Sequence, residues 1–252
     1  MDIKGISTLN PSSTQSDRCC QERRAALGGL LCRRECWTLS WRGWLLALVL
    51  IIGLLAAMRY GAYPFLTVTD RVPAEVLVIE GWSPPSTMRQ AASEFLHGGY
   101  RRALLVRPVL ETGDQYESGH YSADFVTRML IADGVPGEKL STLFPNVARK
   151  DRTFHSALAV QQWLKERGMH IQALDVATAG PHSRRSRLMY QKAFGDGVKI
   201  GVIALDNPEY DPKRWWRTSE GVRDVVGESI AYLYARVLFH PSNPAIDLNP
   251  GS

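Results

Sequence analysis

One segment of the sequence places an imidazole and three guanidinium groups within six residues. It reads Thr178-Ala-Gly-Pro-His182-Ser-Arg184-Arg185-Ser-Arg187, and it joins a predicted strand, 171–177, to a predicted helix, 183–194. The first turn of a helix attracts anions because its N–H groups are free and its dipole is positive there. Arginine adds planar, bidentate hydrogen bonds to phosphate or carboxylate. The segment therefore predicts an anion pocket in which Thr178 binds ligand and His182 is a titratable, catalytic candidate.

Helical geometry separates the three arginines. The apolar residues of this helix form one stripe: Met189, Tyr190, Ala193 and Phe194. One turn earlier the same stripe passes through Arg185 and Ser186, so Arg185 is expected to point at the strand ends, where a charge needs a partner. Arg184 and Arg187 are expected to be more exposed. Arg184 is kept as a ligand candidate, whereas Arg187 is interpreted as a solvated surface arginine.

A second polar cluster, 149–156, begins the helix predicted after the third strand of the outer domain. Thr153 shares a helix face with three apolar residues, so its hydroxyl is expected to point inward. Capping of free N–H groups is expected to explain Asp151. Arg152 and Thr153 then remain as candidate ligand-binding residues at an anion-favouring helix start.

A carboxylate and a glycine follow the first predicted strand of the domain, as Glu80-Gly81. Gly81 permits a tight turn or the close approach of a ligand. Glu80 is a candidate acid/base group or a partner of Arg185. The sequence contains no Gly-x-Gly-x-x-Gly, P-loop, Gly-x-Ser-x-Gly or His-Glu-x-x-His motif, so any cofactor is left undetermined.

A pair of tryptophans, Trp215 and Trp216, precedes the last predicted helix. Two interpretations are open. The pair could form an aromatic lid, which would make Trp215 a ligand-binding residue, or it could be an ordinary packing corner that covers an edge of the core.

The rest of the chain predicts a scaffold that brings strand ends together. Apolar runs predict strands at 74–79, 103–106, 139–144, 171–177 and 199–205, and helical patterns alternate with them. The helices are predicted from Pro84/Pro85 to Gly98 and at 122–132, 153–167, 183–194 and 219–239. The last is marked by apolar residues at helical spacing: Val222, Val226, Ile230, Leu233 and Val237. This alternation predicts an α/β fold, a Rossmann-like, mostly parallel sheet of about five strands flanked by helices, over residues 70–240.

One N-terminal transmembrane helix, 41–63, is expected to precede that domain. The stretch from Gly43 to Met58 carries no charge, and aromatic residues on both sides extend it toward the ~20 residues that a bilayer requires. A cleaved signal peptide is the alternative, but about 42 residues would precede its apolar region, so an uncleaved anchor is favoured. Six arginines and two glutamates lie between Arg18 and Arg42. The positive-inside rule therefore predicts a cytoplasmic N-terminus, a single pass through the inner membrane and a periplasmic domain.

The distribution of charge and cysteine argues against two other kinds of partner. The formal net charge is +5, but residues from Arg59 onward carry 23 basic and 21 acidic side chains, so no nucleic-acid partner is expected. All four cysteines fall in the basic tail, 1–40, at spacings that fit no common zinc pattern, and no metal site is predicted. Residues 1–17 and 241–252 are expected to be loose tails.

Several of these segments together resemble the envelope-associated ElyC/SanA/YdcF family. The resemblance covers about residues 72–240, and its features are the small-residue turn after the first strand, the helix start at Thr153 and the Thr-x-x-x-His-x-x-Arg motif at Thr178, His182 and Arg185. Gly-Pro-His and Trp-Trp-Arg segments resemble one subgroup of that family. The resemblance implies a Rossmann-like domain, membrane-anchored and outside the cytoplasm, that takes part in envelope or polysaccharide biogenesis.

Two functional hypotheses follow. In the first, the domain is an enzyme acting on a phosphorylated or lipid-linked envelope intermediate, with Arg185 and Arg152 binding phosphate and His182 and Glu80 as acid/base groups. In the second, it is a non-catalytic domain that binds an anionic glycan or lipid carrier, or a scaffold for envelope-assembly proteins. The two differ in geometry, because only the enzyme requires His182 and Glu80 to converge on one ligand atom.

Overall fold

The structure is a computed structural model that describes residues 25–26, 31–33, 37–82, 84–107, 123–145 and 151–241. The chain divides into two compact units, Met1–Ala57 and Met58–Ser252. The expectations for the cysteine side chains and for the tails at 1–17 and 242–252 lie outside the described residues.

The first unit contains a short antiparallel ribbon and most of one long helix. The ribbon has three strands, β1 (Ala25–Ala26), β2 (Leu31–Arg33) and β3 (Trp37–Leu39), in that order. Strands of two or three residues are too short to show an alternating pattern, and the sequence predicted none here. Helix α1 spans Trp41–Leu66, three residues beyond the predicted end. An 18-residue stretch of it has a mean hydropathy of 2.1, so the helix is long and apolar enough to cross a membrane.

The second unit is the predicted α/β domain. Its strands are β4 (Val76–Glu80), β5 (Arg102–Val106), β6 (Leu140–Leu143), β7 (Ala173–Ala179) and β8 (Lys199–Leu205). Its helices are α2 (Pro85–His97), α3 (Ala123–Ala132), α4 (Arg152–Glu166), α5 (Ser183–Phe194) and α6 (Ser219–Val237). The five strands are all parallel, in the order β6-β5-β4-β7-β8, which confirms the predicted fold class.

Both faces of the sheet are covered, as the continuous apolar strands predicted. Side chains alternate along β4, so Leu77 and Ile79 pack with α2 and α3, while Val76 and Val78 pack with α4 and α5. Glu80 follows Val76 and Val78 on the face covered by α4 and α5, so this face carries the candidate site. Strand and helix ends lie within about two residues of their predicted positions, as expected where glycine or proline stops an element.

Helix α6 forms as predicted, but of the five apolar residues that predicted it only Val226 packs against a core cluster of the described structure. Val222, Ile230, Leu233 and Val237 are exposed, whereas Val225 and Ala235 are buried against the domain. The helix therefore carries a second apolar stripe, which its periodicity alone did not separate from the first.

Candidate functional site

The candidate residues meet where the strand order reverses. From β4 the chain moves outward to β5 and β6, then returns to add β7 and β8 on the other side. The crevice beyond the carboxyl ends of two such neighbouring strands is where open α/β sheets bind ligands. Glu80 ends β4 and Thr178 lies near the end of β7. Because Ile79 pairs with Ala177, Glu80 and Thr178 follow at adjacent positions on the face covered by α4 and α5.

Glu80 is completely buried, and one of its two carboxylate oxygens has a hydrogen-bond partner. Its Oε2 accepts a hydrogen bond of 2.6 Å from Ser186 Oγ, while Oε1 has no hydrogen-bond partner among the described residues. Thr178 Oγ1 is also buried and unpartnered in this part of the chain. Leaving such a group unpaired costs about 1–3 kcal/mol. Buried unpaired groups of this kind usually have an ordered water or a functional reason.

His182 stands between two carboxylates. It ends a short 3₁₀ turn, Gly180–His182, that connects β7 to α5. Its Nδ1 lies 2.8 Å from Glu228 Oε1, and its Nε2 lies 3.5 Å from Glu80 Oε2 without a hydrogen bond of its own in the described structure. The edge of Trp82 covers the ring at a centroid distance of 5.4 Å. The side chain is consequently only 14% exposed.

The contact with Glu228 decides which ring nitrogen carries the proton. A carboxylate only accepts, so we assign a proton to Nδ1, while Nε2 faces Glu80. Arg185 Nη2 is 2.9 Å from the same Nδ1. A guanidinium only donates, so this contact contributes no hydrogen bond in the assigned tautomer.

Arg185 points inward, as helical geometry predicted, and is paired within the protein. Its Nε donates to Glu228 Oε2 at 2.7 Å and its Nη2 to Oε1 at 2.9 Å, while Nη1 donates to Thr153 Oγ1 at 3.0 Å. The Arg185 and Glu228 side chains are 17% and 18% exposed. This is a bidentate, largely buried ion pair.

The pair changes the protonation of both of its members. Burial alone would raise the pKa of Glu228, but the hydrogen bonds from His182 and Arg185, together with the positive charge of Arg185 and that of His182 when it is protonated, outweigh burial and hold the pKa well below its usual range. Burial likewise opposes the charge of Arg185, yet its hydrogen bonds to Glu228 raise the pKa overall. Both groups are therefore charged at neutral pH.

The other arginines bind elsewhere. Arg184 donates to the carbonyl of Phe65, and its guanidinium lies 4.2 Å from the centre of the Phe65 ring. Arg187 pairs with Asp70 at 2.7 Å and donates to the carbonyl of Ile200 at 3.1 Å. Neither contact involves His182 or Glu80, so the structure brings only Arg185 of the three to the candidate site.

The start of α4 contributes one residue of the two that were predicted. Thr153 is buried and accepts the hydrogen bond from Arg185, whereas Arg152 is exposed on the surface. The expected capping by Asp151 is wrong. Asp151 occupies the N-cap position with φ 53°, but its side chain makes no capping hydrogen bond, and only its carbonyl joins the helix.

Packing explains two further candidates. A Cβ at Gly81 would lie 2.6 Å from Leu105 Cδ1 and 2.7 Å from Arg107 Cγ, so any larger residue would force these side chains to shift. Trp215 is buried in an apolar cluster with Leu66, and its Nε1 donates to the carbonyl of Arg59 at 3.1 Å. Of its two interpretations, the structure supports the packing corner.

Glu228 was not among the residues predicted from the sequence, and Ser186 was assigned no role. Glu228 is 46 residues from His182 in the chain. The signal for it was its spacing, because Gly221, Val225, Glu228 and Ala235 recur every three, four or seven residues on the buried side of α6. A carboxylate on a buried stripe needs a cationic partner, and Arg185 was already predicted to face inward.

No protein-family model and no curated protein matches this chain. The chemistry of the site therefore has to be inferred from its geometry. A carboxylate that fixes an imidazole tautomer and leaves the other nitrogen free is the arrangement of a general base. In the described part of the chain, no group of three or more His, Cys, Asp or Glu residues is arranged to hold a metal ion.

A separate cleft lies at the amino end of β8. It has a volume of ≈ 540 Å³, and its lining includes Val72, Arg187, Asp196 and Lys199. It contains neither His182 nor Glu80. We place the candidate site at the strand carboxyl ends, because Glu80 Oε1, Thr178 Oγ1 and His182 Nε2 are buried there and lack hydrogen-bond partners among the described residues.

Proposed function

We propose that this chain is a membrane-anchored protein of the cell envelope, related to the ElyC/SanA/YdcF family that its sequence resembles. In this proposal its α/β domain binds an anionic ligand, a phosphorylated or lipid-linked glycan, at the carboxyl ends of β4 and β7 and acts on it. The observation that carries the proposal is His182 Nε2, which is buried without a hydrogen bond and faces the carboxylate of Glu80.

The proposed chemistry is proton transfer. His182 Nε2 would take a proton from a hydroxyl of the ligand or of water, and the Glu228 carboxylate would stabilise the resulting imidazolium through Nδ1. Where the reacting group is water, Glu80 would hold it by accepting its second hydrogen at the unpartnered Oε1. Ser186 keeps the other oxygen of Glu80 occupied, which leaves Oε1 for that water.

The anionic part of the ligand competes with Glu228 for Arg185 in this proposal. Glu228 accepts two of the hydrogen bonds that a phosphate would take from the guanidinium. An incoming phosphate would replace that carboxylate, with Arg152 at the exposed start of α4 as a second cation. Binding would then be limited by the strength of the internal pair.

Inorganic phosphate tests this competition. Phosphate should raise the thermal midpoint of the full-length protein in detergent by mass action. The midpoint of Glu228→Gln should rise further, because an uncharged amide no longer forms an ion pair with Arg185. In Glu228→Gln/Arg185→Gln the effect should disappear. Arg187→Ala is the control and should keep it. An equal effect in wild type and Glu228→Gln, or its loss in Arg187→Ala, would contradict phosphate binding at Arg185.

Binding without catalysis is the second candidate. It is favoured by the shielding of His182, whose ring lies under Trp82 and between two carboxylates. In that case the Glu228–His182–Arg185 network would serve to hold α4, α5 and α6 together beside the ligand, as a binding or scaffold domain for envelope assembly.

The proposed location is the inner membrane, with the N-terminus inside and the α/β domain in the periplasm. It combines helix α1 with the excess of arginine before Gly43. A reporter enzyme that is active only in the periplasm should be active when fused after residue 240, and one that requires the cytoplasm should be inactive there. Fusions before Trp41 should give the opposite pair of results. The reverse pattern would overturn both the orientation and the envelope assignment.

A further inference from the structure

Within the part of the chain that the structure describes, helix α6 presents an exposed apolar face, which we call the outer face of α6. Its members recur at helical spacing and are 40–67% exposed: Val222, Ile230, Leu233, Tyr234, Val237 and Leu238. The opposite side of the helix is the one that packs, through Val225 and Ala235, and that carries Glu228 to His182. A helix that is apolar on both sides normally has apolar surroundings on both sides. Contiguous exposed patches of this kind mark an interaction surface.

The charges around the outer face suit a lipid surface. Arg223 and Arg236 are exposed beside it, whereas the acidic groups Asp224 and Glu228 lie toward the domain, where Asn207 and His182 bind them. Glu220, in the first turn of the helix, is the acidic neighbour of Arg223. Apolar residues flanked by arginine are typical of helices that lie in the interface of a bilayer and attract anionic headgroups.

The end of α1 packs beside α6 within the second unit. Phe65 contacts Tyr232 edge to face at 5.5 Å, and Arg59 lies 4.1 Å from the ring centre of Trp216, just before α6. Tyr60 and Phe65 are themselves 66% and 50% exposed. Aromatic contacts therefore hold the last turns of α1 against α6. Aromatic residues are enriched at membrane–water interfaces.

We propose that the outer face of α6 lies in the interfacial layer of the membrane that α1 anchors, with its apolar side chains at the boundary of the acyl chains. The face extends over about 24 Å, from Val222 to Leu238 at 1.5 Å per residue. It would hold the domain flat on the bilayer, with the buried side of the same helix presenting Glu228 to the candidate site. This proposal requires α1 to be in a membrane, and it is independent of any catalytic role.

Depth-dependent quenching tests the contact. The full chain, with its four cysteines replaced by serine, receives one cysteine at Leu233 or Val237, or at Arg101 as control, because that side chain is 78% exposed near the start of β5. Each carries an environment-sensitive fluorophore and is reconstituted in lipid nanodiscs of phosphatidylcholine and phosphatidylglycerol. Lipids with a nitroxide near the headgroup should quench the fluorescence at 233 and 237, and leave that at 101 unchanged.

A charged variant tests whether the apolar side chains themselves hold the helix against the lipid. Ile230→Asp should reduce quenching at 237, because a carboxylate resists transfer into the interface, while Arg101→Asp should not. Absence of quenching at 233 and 237 would overturn the proposal. So would quenching of equal strength at 101. Energy transfer between labels at 233 on two copies, with no quenching by lipid, would also overturn it and assign the outer face to a second copy of the chain.

Discussion

Replacing His182 with glutamine is expected to lower the rate of the proposed reaction by about 10²–10⁴-fold, the usual cost of losing a general acid or base. Glutamine keeps a hydrogen-bonding group of similar size beside Glu228, but it cannot exchange a proton near neutral pH. A strain without the gene should therefore regain its normal envelope phenotype with the wild-type protein and not with His182→Gln. Phosphate should still raise the thermal midpoint of the variant, because Arg185 is intact.

His97→Gln is the matched control. His97 is exposed at the end of α2 and contacts only Ser93 of its own helix among the described residues, so this variant should complement fully. Complementation by normally expressed His182→Gln would show that the site binds ligand without proton transfer at this residue. That result would select the binding or scaffold function.

Arg185→Ala is expected to destabilise the protein by about 3 kcal/mol, because removing one partner of a buried ion pair leaves an uncompensated charge. The group left behind is Glu228, which loses the two hydrogen bonds and the positive charge of Arg185 that lower its pKa, so its burial is then poorly compensated. Arg187→Ala should cost less than about 1 kcal/mol, since Arg187 and Asp70 are 31% and 53% exposed. Urea unfolding of the full-length proteins in detergent measures both changes.

The double variant and the pH dependence identify the cause. Arg185→Ala/Glu228→Ala should be more stable than the sum of the single changes predicts, because the second change removes the stranded charge. The pKa of Glu228 is lower in the folded than in the unfolded chain, so its contribution is present at neutral pH and decreases as pH falls below about 4. If Arg185→Ala cost no more than Arg187→Ala, the pair would not be the buried one described here.

The fold was predictable because local pattern and topology agree in this chain. Buried parallel strands are continuous apolar runs in the sequence. Strands and helices also end at residues that stop them, such as Gly81 after β4 and Gly98 after α2. Helix faces also predicted that Arg185 and Thr153 turn inward. The ribbon was not predictable, since strands of two or three residues are fixed by partners and not by pattern.

The partners of the site residues were harder to predict. Arg185 lies on the inward face of α5, so the sequence indicated that it needs a counter-charge. The carboxylate that supplies this charge depends on how α6 crosses α5, and no local pattern encodes that crossing. Glu80 was considered either as an acid/base group or as the partner of Arg185, whereas in the structure Arg185 pairs with Glu228 and Glu80 accepts from Ser186. The two apolar stripes of α6 were hard to interpret for the same reason. Periodicity shows that a helix face is apolar, but it does not show what packs against that face.

The hydrogen bond between Ser186 and Glu80 joins residues that are 106 positions apart. Contacts of such separation form late, because the chain loses the entropy of closing a long loop before it gains the contact. During synthesis Glu80 leaves the ribosome long before Ser186 and Glu228, so its carboxylate has neither its hydrogen-bond donor nor the covering helix α5 until that later segment is made. The constellation around His182 therefore belongs only to fully synthesised, folded chains, and a chain truncated before α6 would contain His182 without the carboxylate that orients it.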